Sequence, residues 1–270
     1  MVEPSARIRS YQPDDHKLAR FFIGRANFEV LAVANRKVYT SPLFLAAWVA
    51  VSCIFIQIMK WWPNSNQAWW TYLKPLPAFA ATSVPLMFLV DWNNRPSFEA
   101  QVQQVLRRQD ILDIRSYYSR SPASGFWILE FGDKFVGFIA VDASLDATSE
   151  DTVISSATQG SKASRKEVVS TKAGTSSIAT IRHFYVKEEY RPALSQDDLL
   201  HHAIQHAFNS DKAVGEIRVT DLELTSWASQ AFRKQGFIID KQVAKVGVLG
   251  WSIRERVLTR ERWKKIQDAN

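Results

Sequence analysis

Residues 184–207 read FYVKEEYRPALSQDDLLHHAIQHA, and the fold turns on how this stretch is parsed. The run leading into it, IATIRHFYV (178–186), has the β-branched and aromatic content of a strand. LLHHAIQHAF (199–208) behind it reads as a helix. A strand, a tight loop and a helix start make a common anion cradle, because the first helical N–H groups have no partner within the helix. In this loop Pro192 stands where a glycine would serve, and Asp197 and Asp198 stand where an anion would arrive. A second expectation competes with the cradle. Ser195, with Asp198 three residues on, has nearly the pattern of a capping box, and two aspartates complement the helix dipole unaided. A capped helix of that kind needs no ligand.

Working outward, GEIRVTDLEL (215–224) reads as a strand and TSWASQAFRKQ (225–235) as a short helix ending at Gly236. FIIDKQVAKVGVLGWSI (237–253) reads as a terminal hairpin. The basic tail from residue 254 is expected either on an anionic membrane face or as a solvated helix. In the other direction, GFWILEF and KFVGFIAVDAS flank Gly132-Asp133 as a β-hairpin. PSFEAQVQQVLRRQDILDIRSYYSR (96–120) has the apolar spacing of an amphipathic helix broken near Gln109. ARIRSYQPDD (6–15) reads as a strand closed by a Pro-Asp turn, and residues 16–37 as a helix. Residues 143–177 have no aromatics and much Ser, Thr, Ala and Lys; they read as a flexible insert, a tolerated loop expansion rather than a phosphorylated regulator.

SPLFLAAWVAVSCIFIQIMK (41–60) carries no charge from Leu43 to Met59, near the lower length limit for a bilayer span. PLPAFAATSVPLMFLV (75–90) reads as its return leg. The connector holds Trp61, Trp62, Trp69, Trp70 and Tyr72, as a turn at headgroup level would. A two-helix transmembrane hairpin over 41–92 follows, with membrane lipid as its partner. Arg20, Arg25, Arg36 and Lys37 precede it, Arg95, Arg107 and Arg108 follow it, and Lys74 is the sole base in the connector. Both termini are then expected in the cytosol. The remaining parts are a strand and helix in 1–40, the bulk of a domain in 93–253, and the tail 254–270. The single Cys53 excludes an internal disulfide and a multi-cysteine zinc site. His202 and His206 share a helix face, but neither the glutamate of an HExxH pattern nor a third ligand accompanies them, so no metal is expected. The net charge of +7 comes with no recognisable nucleic-acid module.

The order strand, helix, helix, three strands, loop, helix, strand, helix, strand resembles the GNAT acetyltransferase fold. That is an α+β architecture, a central mixed and mostly antiparallel sheet flanked by helices, here interrupted by the membrane hairpin. The likeness is sharpest at ILDIRSYYSRSPASGFWILEFGDKFVGFIAV (111–141), at residues 184–207 and at SWASQAFRKQGF (226–237). Within the family the chain resembles membrane-bound members typified by the cysteine-conjugate N-acetyltransferases of the endoplasmic reticulum. The resemblance implies acetyl-CoA as co-substrate, an amine acceptor, direct attack in a ternary complex and a multi-pass location in the endoplasmic-reticulum membrane. It places cofactor contacts at Tyr185, Val186, Arg191, Ala193, Leu194 and Ser195. The family loop, Gln/Arg-x-x-Gly-x-Gly/Ala, laid over residues 189–194 sets Pro192 and Leu194 on the two glycines. Phe232 falls where the family often has a tyrosine acid, and Thr225 where it often has asparagine. His183, Glu223 and the neighbouring Asp221 are the candidate bases. The chain is also similar to fungal membrane proteins that help a phosphate transporter leave the endoplasmic reticulum. That similarity implies the alternative of an inactive GNAT-like module holding a membrane-protein client.

Overall fold

The computed structural model describes residues 5–62, 72–147 and 173–269. The chain opens with strand β1 (Ala6–Ser10) and helix α1 (His16–Tyr39). Between them Arg9 grips Asp15 through two hydrogen bonds of 2.6 and 2.7 Å and reaches Glu130 at 2.6 Å. Those bonds fix the angle at which α1 leaves the strand. Helices α2 (Pro42–Met59) and α3 (Leu76–Leu106) follow, then the short α4 (Gln109–Leu112) and α5 (Ile114–Tyr118). Strands β2 (Gly125–Phe131), β3 (Lys134–Ser144) and β4 (Thr175–Val186) come next, with Gly132 at φ +59 turning the first pair as its sequence implied. A 3-10 helix (Glu188–Ala193) leads into α6 (Ser195–Ser210), followed by β5 (Glu216–Leu222), α7 (Ser226–Lys234), β6 (Ile238–Val246), β7 (Trp251–Thr259) and α8 (Arg260–Ala269).

The seven strands make one sheet in the order β1-β2-β3-β4-β5-β7-β6. Every pairing is antiparallel except β4 with β5. This is the mixed, mostly antiparallel sheet that the resemblance implied. One face buries Leu199, Ile204 and Phe208 of α6 against Val136, Ile139 and Ile217. The other buries Phe22 and Ile23 of α1 with Ile114 and Tyr118 against Phe126 and Phe138. β3 is buried almost throughout, as a central strand covered on both sides should be.

Four expectations need correction. The amphipathic helix expected from residue 96 is not a separate element: α3 runs unbroken from Leu76 to Leu106 with Pro85 and Pro96 inside it. Its second half is held by packing on α1, where Phe98 and Val102 are buried, and tertiary contact of this kind outweighs the lost proline donors. The residues taken for a tail from 254 belong to the sheet as far as Thr259, because Arg256 finds a buried anion there. The insert is narrower than 143–177, since β3 includes Ser144 and β4 starts at Thr175. Most of it lies outside the described residues, as do Trp69 and Trp70. The fourth correction, at Ser195, belongs to the site below.

Among the described residues, α2 is the one helix long and apolar enough to cross a membrane, with mean hydropathy 2.1 and only Ser52 and Ile56 buried. The apolar start of α3 packs along it. Ser52 and Thr82 share a buried hydrogen bond of 2.6 Å, and the Trp48 indole donates to the Phe79 carbonyl at 3.0 Å. Leu43, Ile54, Ile58, Val84, Phe88 and Leu89 stay exposed around the pair. Its base is fixed to the sheet by amides. Asn35 donates to Asp91 at 2.7 Å, Asn94 to Asn35 at 2.9 Å, and the Val248 N–H of the β6–β7 turn donates to Asn94 at 3.0 Å.

Candidate functional site

The parallel pair holds together only over Ile178↔Glu216 to Ile181↔Val219. Beyond that point each strand keeps its antiparallel neighbour: β4 stays with β3 as far as Gly137↔Val186, and β5 stays with β7 as far as Leu222↔Ile253. The two strands therefore splay. A cavity of about 840 Å³ opens in the gap, walled by α1, α3, the 3-10 helix and the start of α7. Beyond Ile181 the inner edge of β4 has no strand partner, and the Val186 carbonyl accepts from Arg191.

Strand alternation sorts the β4 side chains. Tyr185 lies on the α1 face between Phe22 and Phe138, at ring distances of 6.0 and 5.9 Å. Burial, with Glu29 nearby, pushes its phenol pKa up. Phe184 faces the other way, 5.2 Å from Trp227 and 5.5 Å from Phe232, and these rings make an apolar wall of the cavity. Phe232 is buried there and has no hydroxyl to offer.

The loop departs from the pattern read in sequence. Pro192 sits inside the 3-10 helix, and the residue with left-handed backbone is Leu194, at φ 58 and ψ 20. Positive φ favours glycine, so Leu194 is the loop position whose backbone suits the first glycine of the motif, which makes Arg191 the leading residue. The second small position then falls on Gln196. That side chain is 6% exposed, lines the cavity, and has no hydrogen-bond partner for Oε1 among the described residues. With Leu194 as the left-handed residue this register lies two residues beyond the one read in sequence, and Gln196, which that reading did not name, joins the cavity wall. Ser195 is not the N-cap. Leu194 takes that place, its carbonyl accepting from the Asp197 N–H at 2.8 Å, and no side chain caps the helix. Asp197 does not face an incoming anion unopposed, since Lys234 of α7 holds it at 2.7 Å.

Arg191 is engaged within the protein. Its Nε–H donates to the Val186 carbonyl at 2.9 Å, one terminal nitrogen meets Glu29 of α1 at 2.6 Å, and the guanidinium lies 4.4 Å over the Trp227 ring. Val186 itself is buried under α6, while Ala193 is exposed and neither it nor Ser195 lines the cavity. Glu223 also stands apart, accepting from the Ser252 N–H at 3.1 Å beside Arg254. Asp221 is buried beneath α7 with Arg256 at 2.6 Å and Ser229 at 2.7 Å.

His183 does border the cavity, and its Nε2 lies 2.7 Å from Asp110 Oδ2. Tyr118 donates to the same oxygen at 3.1 Å. Burial pulls the Asp110 carboxyl upward, but His183, Arg182 and Arg108 together outweigh it and hold the group at about 2. Nothing in the sequence singled out Asp110, which lies 73 residues from its partner. On the sheet behind, Arg182 donates to Asp142 at 2.7 Å and Tyr117 to the same carboxylate at 3.1 Å. His202 and His206 stack edge-on against Trp127, and His206 Nε2 lies 3.1 Å from the Pro122 carbonyl.

The strand order and the splayed parallel pair, with a loop and helix start at the splay, define a GNAT-like fold. No protein-family model matches the chain. A curated relative, the "Probable N-acetyltransferase camello" of Xenopus tropicalis, is 28% identical over 145 residues, which is 53% of this chain and 58% of the relative. The chain thus spans somewhat over half the length of that relative. Among solved structures, a GNAT-family acetyltransferase from Streptococcus pneumoniae aligns with TM-score 0.46 and 11% identity, over 94% of this chain and 99% of that one. The spermidine N-acetyltransferase of Vibrio cholerae, solved with CoA and spermine, aligns with TM-score 0.43 and 8% identity, over 96% and 98%.

Proposed function

We propose that this chain is a membrane-anchored N-acetyltransferase that takes acetyl from acetyl-CoA and passes it to an amine. The observation that carries the reading is the splay of β4 from β5 with a cavity of about 840 Å³ in the gap. Acetyl-CoA fits the cleft in part. The free edge of β4 offers backbone partners to the pantetheine arm, and the start of α6 has unpaired N–H groups for a phosphate. Against this, Pro192 has no N–H, and Leu194 and Gln196 bring side chains where a pyrophosphate needs close backbone approach. Cofactor affinity is accordingly weakened.

The anchor is the α2–α3 hairpin, with the first half of α3 as the return leg and both termini on the cytosolic face of the endoplasmic reticulum. The exposed apolar sides of both helices support it, as does the excess of Arg and Lys on the sheet side. One observation favours a second reading, in which the domain has lost catalysis and holds a membrane-protein client. Arg191 is already committed to Glu29, Val186 and Trp227.

Calorimetry of the full chain in detergent separates the two. Micromolar acetyl-CoA affinity, lowered about tenfold in Arg191→Ala, supports the enzyme. No binding at millimolar cofactor sinks it and turns the search to proteins that co-purify from the membrane.

A further inference from the structure

We propose that His183 is the base and proton shuttle of the acetyl transfer, and that Asp110 is its positioning residue; the inference rests on the enzyme reading above. Asp110 is fully buried at the start of α4 and lies 2.7 Å from His183 Nε2. An ionised carboxylate can only accept, so in the neutral imidazole the proton sits on Nε2 and the lone pair on Nδ1. The hydrogen bond made by the ring among the described residues is the one at Nε2, and His183 borders the cavity. Tyr118 fixes the carboxylate by donating to the same oxygen at 3.1 Å. The arrangement is a base held in one tautomer by a buried anion, itself held by a phenol.

The opposite wall is Phe184, Trp227 and Phe232, and neither phenylalanine has a proton to give. His183 serves both ends of the reaction. A neutral amine attacks the thioester carbonyl, and the N–C bond forms. His183 Nδ1 takes one proton from that nitrogen. The C–S bond breaks, and the imidazolium returns the proton to the departing thiolate. Amide and free thiol leave, and the histidine is neutral again. The other charged and titratable groups around the pair are Arg108, Arg182 on β4, Tyr117 and Tyr118 on α5, Asp142 on β3, and Glu29 on α1, which Arg191 already offsets.

The test uses the full chain in detergent with two readouts. Histidine-labelled protein gives the tautomer of His183 from its ring nitrogen shifts by NMR, assigned with His183→Gln. In Asp110→Asn the anion is replaced by an amide, and the single Nε2–H tautomer gives way to a mixture. Thiol release from acetyl-CoA is followed with butylamine and spermidine as acceptors. His183→Gln loses about a hundredfold or more in kcat, with KM for acetyl-CoA little changed. Asp110→Asn lowers kcat in step with the loss of the Nε2–H tautomer while KM for acetyl-CoA is little changed, and Tyr118→Phe does so less, which covers the case of a poorly folding Asp110 variant. A His183 tautomer unchanged in both variants overturns the pairing. Wild-type turnover that survives His183→Gln overturns the base role alone. Cofactor binding without turnover of any amine overturns the base role and the enzyme reading together.

Discussion

Asp221→Ala removes the partner of a cation buried in the sheet. Arg256 is 2% exposed, and its Nε donates to Asp221 at 2.6 Å, while Ser229 occupies the other carboxylate oxygen at 2.7 Å. One terminal nitrogen of Arg256 already lacks a partner among the described residues. Removing the carboxylate therefore leaves a guanidinium in a dry interior with little else to turn to. Breaking a buried pair in this way costs about 3–5 kcal/mol, and for a chain of this size that lowers Tm by roughly 10 °C. The assay is thermal unfolding of the full chain in detergent, followed by near-ultraviolet circular dichroism, to which Trp251 on β7 contributes. The double variant Asp221→Leu with Arg256→Met buries no charge and recovers most of the loss, because the desolvation penalty disappears with the pair. A loss below about 1 kcal/mol in Asp221→Ala refutes the reasoning, since the carboxylate would then not be what neutralises Arg256. An equal loss in the double variant refutes it differently, by making packing rather than charge the cause.

Leu194→Gly relieves a left-handed leucine that costs about 1–2 kcal/mol, partly offset by added freedom of the unfolded chain. Because the side chain is exposed, Tm holds within a few degrees while acetyl-CoA binds more tightly by calorimetry; a clear destabilisation contradicts the strain. Asp110 is depressed to about 2 in the folded chain against an ordinary value near 3.8. Its contribution is thus fully present above pH 4 and is lost as pH falls from about 4 to about 2, on the order of 2 kcal/mol. Denaturant midpoints across that window fall in the parent and flatten in Asp110→Asn. In the hairpin, Ser52→Ala removes the 2.6 Å bond to Thr82 and lowers resistance to sodium dodecyl sulfate unfolding by about 1 kcal/mol, read by Trp48 fluorescence; no change means the two helices are held by packing alone.

Local pattern in the sequence determined the elements. Alternating and β-branched runs marked β2, β3 and the end of β4, Gly132-Asp133 marked their turn, and the charge-free run marked α2, because each of these signals is complete within a few residues. Where the signal depends on distant partners, the sequence was silent or misleading. Pro96 reads as a helix start, but packing on α1 carries α3 straight through it. The basic residues from 254 read as a tail, on a membrane face or as a solvated helix, but Asp221 draws Arg256 into the sheet. Pro192 drew the loop register to itself, while the backbone spends its left-handed residue at Leu194 and so brings Gln196 into the cleft. Arg191 was legible as an anion ligand, but its pairing with Glu29 was not, since α1 and the loop are more than 150 residues apart. His183 could be singled out by its chemistry alone. Only the tertiary structure supplied Asp110 and gave the histidine a direction, because a buried pair is made by two elements that meet in space and share no local pattern.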